Sequence, residues 1–496
     1  MTTESAASRV VSVDELSAAV GDLFRAGYRL ALVAGHDDGP RLRVVYLFTD
    51  PIADRRVELT LQVSAVEPRI PSLAGLSFPA GRFERELHDL FGIVPVGHPL
   101  PRRLVRHPHW PAGWYPMRRD CGDPPVFTDA DTEPFPFLLV DGPGVYEIPV
   151  GPVHAGMIEP AHFRFSVVGE TIVKLKARLW FTHRGIEKHF EGRPALDAVP
   201  LAERISGDTS VAHALAYTLA VEDALGIMMP PEGQRLRAAL VELERLYNHV
   251  ADLGGIANDV GYPIANAHAL RLREQLLRLN ETVTGHRLLR GAIRPGAVSL
   301  TAAPDFAAIN AVAASAVELA EITLAGSVVR DRFTGTAVLT KAQAGDLGCL
   351  GVVARASGLR GDARVDHPFV PLAVTPVIHT GGDVLARYLV RRDEIAVSAE
   401  LISALIADGP LAVTASSPSA TRREPNNHGV GIVEGWRGAI VHRVETDRDG
   451  VLTRVKIVDP SWFNWPALPV ALADTIVPDF PLANKSFNLS YAGNDL

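Results

Sequence analysis

The sequence contains the stretch Glu203-Arg204-Ile205-Ser206-Gly207-Asp208-Thr209-Ser210-Val211-Ala212-His213, around which we interpret the rest of the chain. Ser206 and Thr209 place two hydroxyl groups three residues apart. If the spacing is taken one residue longer, Ser210 provides the second hydroxyl instead of Thr209. A hydroxyl stays protonated near neutral pH and is a hard oxygen donor, so these side chains do not suit a metal that prefers thiolates. We predict that the stretch lies within a helix of residues 201–225.

Composition and charge exclude several classes of protein. The chain has 496 residues with an ordinary globular composition, which predicts two or more domains. Its formal charge of −8 argues against a nucleic-acid partner, which would require clustered Lys and Arg. The two cysteines, Cys121 and Cys349, are far apart and are interpreted as free thiols in a reducing compartment.

The sequence also bears on localisation and on nucleotide binding. No signal peptide and no uninterrupted apolar run of about 18 residues are visible. We therefore expect a cytoplasmic chain, or one held at a membrane only by its partners. No glycine-rich loop follows a predicted strand, so we do not expect this chain to bind NADH itself.

The first part of the chain predicts a small α+β domain at residues 1–105. Helical spacing at residues 13–24 is followed by three strand-like runs at 28–33, 42–48 and 57–63, separated by turn residues. Residues 106–144 are rich in Pro, Gly, Trp and Arg without periodicity, and we interpret them as an extended linker.

A long motif in this first domain carries a family resemblance. Residues 78–93 read Phe-Pro-Ala-Gly-Arg-Phe-Glu-Arg-Glu-Leu-His-Asp-Leu-Phe-Gly-Ile, and Gly97-His98-Pro99, Arg102 and Arg103 follow. The alternative interpretation is an amphipathic helix with a solvated face and a glycine C-cap. The motif resembles the signature of the C subunit of bacterial NADH–quinone oxidoreductase (complex I).

Residues 145–496 predict a second domain, a helix bundle with flanking β-sheets. Strand-like runs come first and last, and helical runs lie at 201–225, 232–260, 267–289, 307–329 and 384–406. The run Arg184-Gly185-Ile186-Glu187 resembles the Arg-Gly-x-Glu motif of hydrogenase large subunits and of the complex I D subunit. The resemblance thus spans nearly the whole chain, as a C-like domain fused to a D-like domain.

This fused order is similar to that of the large subunits of membrane-bound group 4 nickel–iron hydrogenases of the formate hydrogenlyase type. Those subunits carry Glu-Arg-x-Cys-Gly-x-Cys-x-x-x-His and, near the C-terminus, Asp-Pro-Cys-x-x-Cys. Here the second motif reads Asp459-Pro460-Ser461-Trp462-Phe463-Asn464, and the first has Ser206 with Thr209 or Ser210. With no cysteine at these positions, we expect the chain to bind no nickel and to activate no hydrogen.

The D-subunit resemblance implies a metal-free cavity for a quinone headgroup, held by a turn histidine, an aspartate and a tyrosine. His162 is the candidate for the turn histidine, although His154 is also near. Asp259 lies where the paired aspartate would be, and Gly207 stands at the tyrosine position, so that phenol is missing. A His–Asp pair is chemically suited to delivering the protons of quinone reduction. Alternatively, the histidine caps a turn and Asp259 caps a helix end.

Four further positions follow from the resemblance. Glu187 matches a glutamate linked to proton movement in hydrogenases, so His162, Asp259 and Glu187 are the candidate catalytic residues. Arg184 and Arg204 match positions that face an iron–sulfur subunit, and Ser206 is a cavity position. Alternatively, Arg184 and Glu187, three residues apart, form an ion pair on a helix face.

The resemblance implies a peripheral subunit at the cytoplasmic face of the cell membrane. Its expected partners are an iron–sulfur small subunit, a ferredoxin-like iron–sulfur subunit, and integral membrane proteins of the antiporter and H-subunit types. The cluster belongs to the partner because this chain has too few cysteines to hold one. Two hypotheses remain: an oxidoreductase subunit that passes electrons to a quinone or other small acceptor and couples this to ion translocation, or a degenerate scaffold without chemistry of its own.

Overall fold

A computed structural model describes residues 6–126, 135–156, 158–406, 409–415 and 427–496. It confirms the predicted α+β class, with several small sheets and a set of long helices. The elements of the first domain are β1 (Ala6–Val11), α1 (Val13–Arg25), β2 (Arg29–Asp37), β3 (Arg41–Asp50), β4 (Arg55–Ser64), β5 (Arg69–Pro71), α2 (Phe78–Phe91) and β6 (Val94–Val96).

The first domain is built on a four-stranded sheet with the order β1-β4-β3-β2. Strands β2, β3 and β4 are the three predicted runs and pair antiparallel, while β1, which we did not predict, joins β4 in parallel at the edge. The complex I-like motif forms α2, which ends at Gly92 in the left-handed conformation with φ 75°. A Cβ at Gly92 would also lie 2.7 Å from the Tyr115 ring, so both backbone and packing require glycine there.

The described parts of residues 106–144 contain no helix or strand, in keeping with the predicted linker. This segment nevertheless contacts the second domain at several points. The His107 Nε2 atom lies 2.8 Å from the Trp180 carbonyl oxygen, and Arg178 donates to the Arg106 carbonyl oxygen at 2.7 Å. The boundaries between the domains and the linker stay predictions.

The second domain starts with a three-stranded antiparallel sheet and then becomes largely helical. Its elements up to the bundle are β7 (Val145–Val150), β8 (His162–Val168), β9 (Thr171–Arg178), α3 (Ile186–Phe190), α4 (Val199–Ala202), α5 (Ser210–Leu225), α6 (Pro231–Asn258), α7 (Pro263–Thr284), β10 (Ile293–Arg294), β11 (Ala297–Ser299), α8 (Phe306–Ala325) and α9 (Ser327–Phe333). The remaining elements are α10 (Lys341–Asp346), α11 (Gly351–Ala356), α12 (Ala363–Asp366), α13 (Val384–Ile406), β12 (Ala412–Thr414), β13 (Asn427–Gly435), β14 (Gly438–Thr446), β15 (Leu452–Val458), α14 (Pro460–Asn464), α15 (Ala467–Ala471), α16 (Phe480–Phe487) and α17 (Tyr491–Asp495).

Helices α6, α7, α8 and α13 form the predicted bundle around one apolar core. The three- and four-residue spacing of leucines along α6 places them on its buried faces, as the periodicity predicts. Among the described residues, α8 alone is long and apolar enough to cross a membrane by length and composition. Its buried side chains recur every three or four residues, so one face of α8 packs against the bundle.

The prediction of one helix at residues 201–225 is wrong. The chain forms the short helix α4, leaves helical geometry in a turn at 203–209, and restarts as α5 at Ser210. The restart is stabilised from α6, where the Glu244 carboxylate accepts the backbone N–H groups of Val211 (2.6 Å) and Ala212 (3.1 Å). Small polar residues of the turn bond to one another instead of continuing the helix.

Helix α5 is buried along nearly its whole length, between the bundle and the sheet β13-β14-β15. The helix lies so close to β13 that a Cβ on Gly431 would be 1.9 Å from the Ala216 carbonyl oxygen. Glycine at this position therefore fixes the position of α5, and with it the turn that precedes α5.

Candidate functional site

The turn at residues 203–209 presents a set of hydroxyl and carboxylate groups. The Ser206 hydroxyl donates to the Asp208 carboxylate at 3.0 Å and lies 2.8 Å from the Ser490 hydroxyl. The Thr209 hydroxyl donates to the same carboxylate at 3.0 Å. Both hydroxyl positions are therefore engaged in hydrogen bonds within the protein.

The second motif forms the start of α14, next to this turn. The Asp459 carboxylate caps α14 by accepting the Ser461 N–H at 2.7 Å. The Ser461 hydroxyl accepts the Ser490 N–H at 2.9 Å, and the Asn464 amide bonds to both the N–H and the carbonyl of Leu350. Ser490 thus links the two motifs, which lie more than 200 residues apart in sequence.

These side chains do not fit the nickel centre of the hydrogenases. The positions hold two serines, a threonine and an amide, whose oxygen and nitrogen atoms already bond to protein groups, whereas nickel there needs bridging thiolates. Cys121 and Cys349 lie elsewhere in the chain. Within the described ranges, no three His, Cys, Asp or Glu side chains are grouped so as to hold a metal ion.

An ion pair lies beside the turn. Arg437, which follows β13, donates to both Asp208 oxygens at 2.7 Å each and to the Thr209 hydroxyl at 3.2 Å. Its guanidinium carbon lies 3.8 Å from the centre of the Trp436 ring. Burial alone would raise the pKa of Asp208, but the Arg437 charge and the surrounding hydrogen bonds outweigh burial and hold that pKa well below its usual range.

A buried chain of polar groups extends from α14 into the protein. Asp459 Oδ2 lies 3.0 Å from His213 Nε2, and His213 Nδ1 lies 3.0 Å from His442 Nε2. All three side chains are almost fully buried. Burial, reinforced by His213, holds the pKa of His442 far below its usual value, so this imidazole is neutral near pH 7.

A cavity of about 740 Å³ borders the turn, the Arg437–Asp208 pair and the C-terminal helices. Four of the predicted site residues line it: His154, Ser206, Gly207 and Asp259. Its volume is within the usual range for small-molecule sites. Its walls combine apolar groups with charged side chains from both ends of the domain, so a polar small molecule could be bound there.

The lining residues that were not predicted from the sequence include Arg437, Lys485 and Tyr491. Tyr491 begins α17, and burial raises the pKa of its phenol to about 12. A phenol is therefore present in the cavity although Gly207 occupies the predicted tyrosine position. The dipeptide Ser490-Tyr491 carries no local signal of this role, because only the fold brings the C-terminus to the turn.

Within the described residues, no hydrogen bond joins Asp259 to His162 or to His154. His162 begins β8, where its Nδ1 lies 3.2 Å from the Gly151 carbonyl oxygen and its ring lies against Phe137, so it does not line the cavity. His154 does line the cavity, but its Nδ1 lies 3.2 Å from the Pro152 carbonyl oxygen. Asp259 follows the last turn of α6, and burial raises the pKa of its carboxyl despite nearby Lys485.

Glu187 is also outside the cavity, in a buried ion cluster between the two domains. Its carboxylate lies 2.7 Å from Arg454 and 3.1 Å from Lys456, and Lys456 in turn lies 2.8 Å from Glu86 of α2. Burial would raise the pKa of Glu187, but Arg454 and Lys456 outweigh burial and lower that pKa to about 2. The proton-carrying role that the resemblance implies for Glu187 stays a prediction.

The two predicted partner-facing arginines lie on the outer side of the turn. Arg184 donates to the carbonyl oxygens of Arg204 (3.1 Å) and Ile205 (2.7 Å) and so holds the turn in place. The Arg204 side chain is 55% exposed, which leaves most of its charge accessible to a partner. Neither arginine lines the cavity.

Comparison with known proteins identifies the class. Residues 10–124 match the family described as "Respiratory-chain NADH dehydrogenase, 30 Kd subunit", and residues 259–421 match its "49 Kd subunit". Residues 184–253 match "Nickel-dependent hydrogenase". The chain is similar to formate hydrogenlyase subunit 5 of Escherichia coli (strain K12), with 33% identity over 455 residues that cover 88% of this chain and 79% of the relative.

Two further proteins are also similar to this chain over most of its length. The fused C/D polypeptide of NADH-quinone oxidoreductase from Phocaeicola vulgatus is 30% identical over 456 residues, covering 86% of this chain and 87% of the relative. A chain of the membrane-bound sulfane sulfur reductase, an archaeal respiratory membrane complex, superposes with a TM-score of 0.64 at 25% identity over 71% of this chain and 99% of that chain. The protein belongs to the family of fused 30 kDa–49 kDa subunits shared by complex I-like oxidoreductases and membrane-bound hydrogenases.

Proposed function

We propose that this chain is the nickel-free, acceptor-reducing subunit of a peripheral arm of a membrane-bound respiratory oxidoreductase. An iron–sulfur small subunit supplies electrons, and a ferredoxin-like iron–sulfur subunit precedes it in the relay. Antiporter-like and H-subunit-like membrane proteins anchor the arm at the cytoplasmic face and move ions. The observation that supports this most directly is the 740 Å³ cavity beside a turn whose thiolate positions are hydroxyls bonded within the protein.

The acceptor is a quinone or another small molecule that takes up two electrons and two protons. Both electrons come from the partner's cluster, because the two cysteines of this chain are too few to hold one. Asp259, with its raised pKa, and the phenol of Tyr491 are the proton donors within the cavity, with His154 beside them. The Arg437–Asp208 pair and Lys485 provide charges that orient polar groups of the acceptor.

Partner docking is assigned to the outer side of the turn. In this proposal, an iron–sulfur subunit contacts the exposed Arg204 charge and the Arg184 side chain, which holds the turn. Electrons would then enter from that side.

The first test is purification of the tagged chain from detergent-solubilised native membranes. We expect iron–sulfur subunits and multispanning antiporter-like proteins to co-purify, and metal analysis to find nickel far below one atom per chain. A soluble chain without partners, or nickel at one atom per chain with hydrogen evolution from reduced methyl viologen, would contradict the proposal.

The second test separates chemistry from assembly. In the purified complex, with reduced methyl viologen as electron source and a short-chain quinone as acceptor, Asp259→Asn and Tyr491→Phe should each lower turnover by about 100-fold without loss of subunits. Tyr388→Phe is the matched control, since Tyr388 is also a buried tyrosine with a raised pKa but does not line this cavity. Full turnover in both cavity variants would refute their role as proton donors.

A degenerate scaffold is the second candidate. It is favoured by Glu187, whose buried ion pairs serve structure, and by the absence of a hydrogen bond between Asp259 and either His154 or His162 in the described structure. On this hypothesis, the combined variant Glu187→Gln, His162→Ala and Asp259→Asn assembles and leaves the activity of the complex unchanged.

A further inference from the structure

Helix α16 contributes a lysine, Lys485, to the wall of the cavity beside the turn. Its side chain is 35% exposed, and its Nζ lies 3.8 Å from Asp252 Oδ1, beyond hydrogen-bond distance. In the described part of the chain, no other carboxylate lies within 4 Å of this ammonium. The Asp252 oxygens already accept hydrogen bonds from Asn488 at 2.6 Å and from Arg391 at 2.7 Å. The N–H groups of Lys485 are therefore available to a molecule in the cavity.

The position of Lys485 depends on a glycine within α6. A Cβ on Gly255 would lie 2.4 Å from Lys485 Cε and 3.3 Å from Nζ, so the end of the lysine occupies the space that another side chain would fill. Glycine inside a helix is disfavoured relative to alanine. The preceding Gly254 has a different cause, since its Cβ would lie 2.5 Å from that of Ala269 in α7. Gly255 is thus the residue that leaves room for the ammonium at the cavity wall.

The lysine lies close to the proposed proton donor Asp259. Asp252, Gly255 and Asp259 follow one another at spacings of three and four residues, which places them along one face of α6 and its end. Burial raises the pKa of Asp259, and the nearby Lys485 charge opposes this effect. The ammonium and this carboxyl group therefore belong to the same side of the cavity.

The chemistry of a reducible carbonyl group fits this arrangement. As a carbonyl takes up electrons, negative charge develops on its oxygen, and a donor that is already in place stabilises that charge. Hydrogen bonds from an ammonium are stronger than those from neutral donors. An acceptor that is anionic before reduction fits less well, because carboxylates outnumber cationic side chains among the lining residues. The carboxylates are Asp208, Asp259 and Glu159, and the cations are Lys485 and Arg437.

We propose that Lys485 is a further catalytic residue of this cavity, whose ammonium binds the acceptor oxygen on which negative charge develops, and that Gly255 is its positioning residue. This role rests on the proposed function of the cavity. For a quinone, two electrons come from the partner's cluster and each carbonyl oxygen gains one proton, so that a neutral quinol forms. Lys485 donates hydrogen bonds to one of these oxygens and transfers no proton, while Asp259 beside it supplies one.

The first experiment measures turnover in the purified complex, with reduced methyl viologen as electron source and ubiquinone-1 as acceptor. Lys485→Ala should lower kcat/KM about 100-fold without loss of subunits, with most of the loss in kcat, because the charge that Lys485 stabilises appears only during reduction. Lys188→Met is the control, since it removes a surface lysine that pairs with Glu191 and does not line this cavity. Parental kcat/KM in Lys485→Ala would overturn the proposal.

Gly255→Ala tests the positioning of the ammonium without removing its charge. The added methyl group displaces the end of Lys485, and we expect a loss of about tenfold in kcat/KM with no fall in the thermal unfolding midpoint, since alanine is the better helix former. Gly345→Ala is the matched control, because Gly345 also lies in a helix but a Cβ there would meet no atom within 4 Å.

The double variant shows whether Gly255 acts through the lysine. In the Lys485→Ala background, Gly255→Ala should cause no further loss of kcat/KM, because no long side chain is left to displace. Parental kcat/KM in Gly255→Ala, or an equal loss with and without Lys485, would refute the positioning role of Gly255.

A binding measurement is independent of turnover. Lysines of the purified parent complex are acetylated with acetic anhydride, and their modification is followed by mass spectrometry. Saturating ubiquinone-1 should slow the acetylation of Lys485 at least about fivefold and leave that of Lys188 unchanged. An unprotected Lys485 would overturn the proposal even in a complex that reduces quinone. A parent complex that reduces no acceptor but shows this protection would refute the proposed function and support the binding role of Lys485.

Discussion

The ion cluster between the domains and the ion pair at the cavity beside the turn use the same kinds of side chain but differ in access to water. In the cluster, Glu86 and Glu187 face Arg454 and Lys456, all four are buried, and the charges balance. At the cavity, the Asp208 side chain is 39% exposed while Arg437 is almost fully buried. The first arrangement fixes two domains together, and the second leaves a carboxylate accessible to a ligand.

The largest expected effect comes from removing one charge of the interdomain cluster. Lys456→Met leaves two buried carboxylates with one arginine, and we expect a loss of about 3–5 kcal/mol in the free energy of unfolding, measured by urea denaturation. The matched control is Lys188→Met, which removes a lysine from a surface pair with Glu191 and should cost less than about 1 kcal/mol. Equal losses in the two variants would show that burial does not distinguish them.

Acid should weaken the cluster in a defined pH window. The folded-state pKa of Glu187 is about 2 and its ordinary value is 4.5, so the folded protein binds fewer protons than the unfolded chain between these values. Its contribution to stability is therefore complete above pH 4.5 and is lost as the pH falls towards 2. Between pH 4.5 and 2, we expect the free energy of unfolding to fall with decreasing pH more steeply in the parent chain than in Glu187→Gln. The difference between the two slopes should reach at most about 1.4 kcal/mol per pH unit. Parallel pH curves would contradict the ion pairing.

The smallest expected change in stability comes from the Asp208–Arg437 ion pair at the cavity beside the turn. Asp208→Asn should reduce the free energy of unfolding by only about 1 kcal/mol, since water in the cavity can solvate part of the pair. Raising the salt concentration from 0.1 to 0.5 M about halves the Debye length. The loss in the free energy of unfolding caused by Asp208→Asn should then become smaller, whereas the loss caused by Lys456→Met should stay nearly unchanged. A loss as large as that of Lys456→Met would mean that Asp208 serves structure as much as binding.

The sequence predicted the long periodic elements well and the site only in part. The strands β2–β4 and the helices α6 and α13 were predicted from apolar runs and turn residues, although β2, β3, α6 and α13 are buried on more than one face. The turn at 203–209 was missed because its geometry depends on Glu244, a side chain of another helix that holds the start of α5.

The role of individual site residues depended on contacts that sequence spacing cannot show. The partners of Glu187 are in β15, some 270 residues away, and no spacing in the sequence shows that they form a buried ion cluster with it. The choice between His154 and His162 likewise depended on which of them the turn before β8 directs into the cavity. Tyr491 was not anticipated because a single tyrosine near the end of a chain has no local pattern.

The contact between Glu86 and Lys456 spans 370 residues of sequence, which has a consequence for biosynthesis. At 5–20 residues per second, the ribosome needs roughly 20–70 s to make Lys456 after Glu86 has been translated. Because N-terminal domains generally fold first during synthesis, we expect the nascent first domain to complete its sheet in that interval, while Glu86 still lacks its partner Lys456. We expect the surface around Glu86 to be where chaperones engage the growing chain, and its closure to be among the last steps of folding.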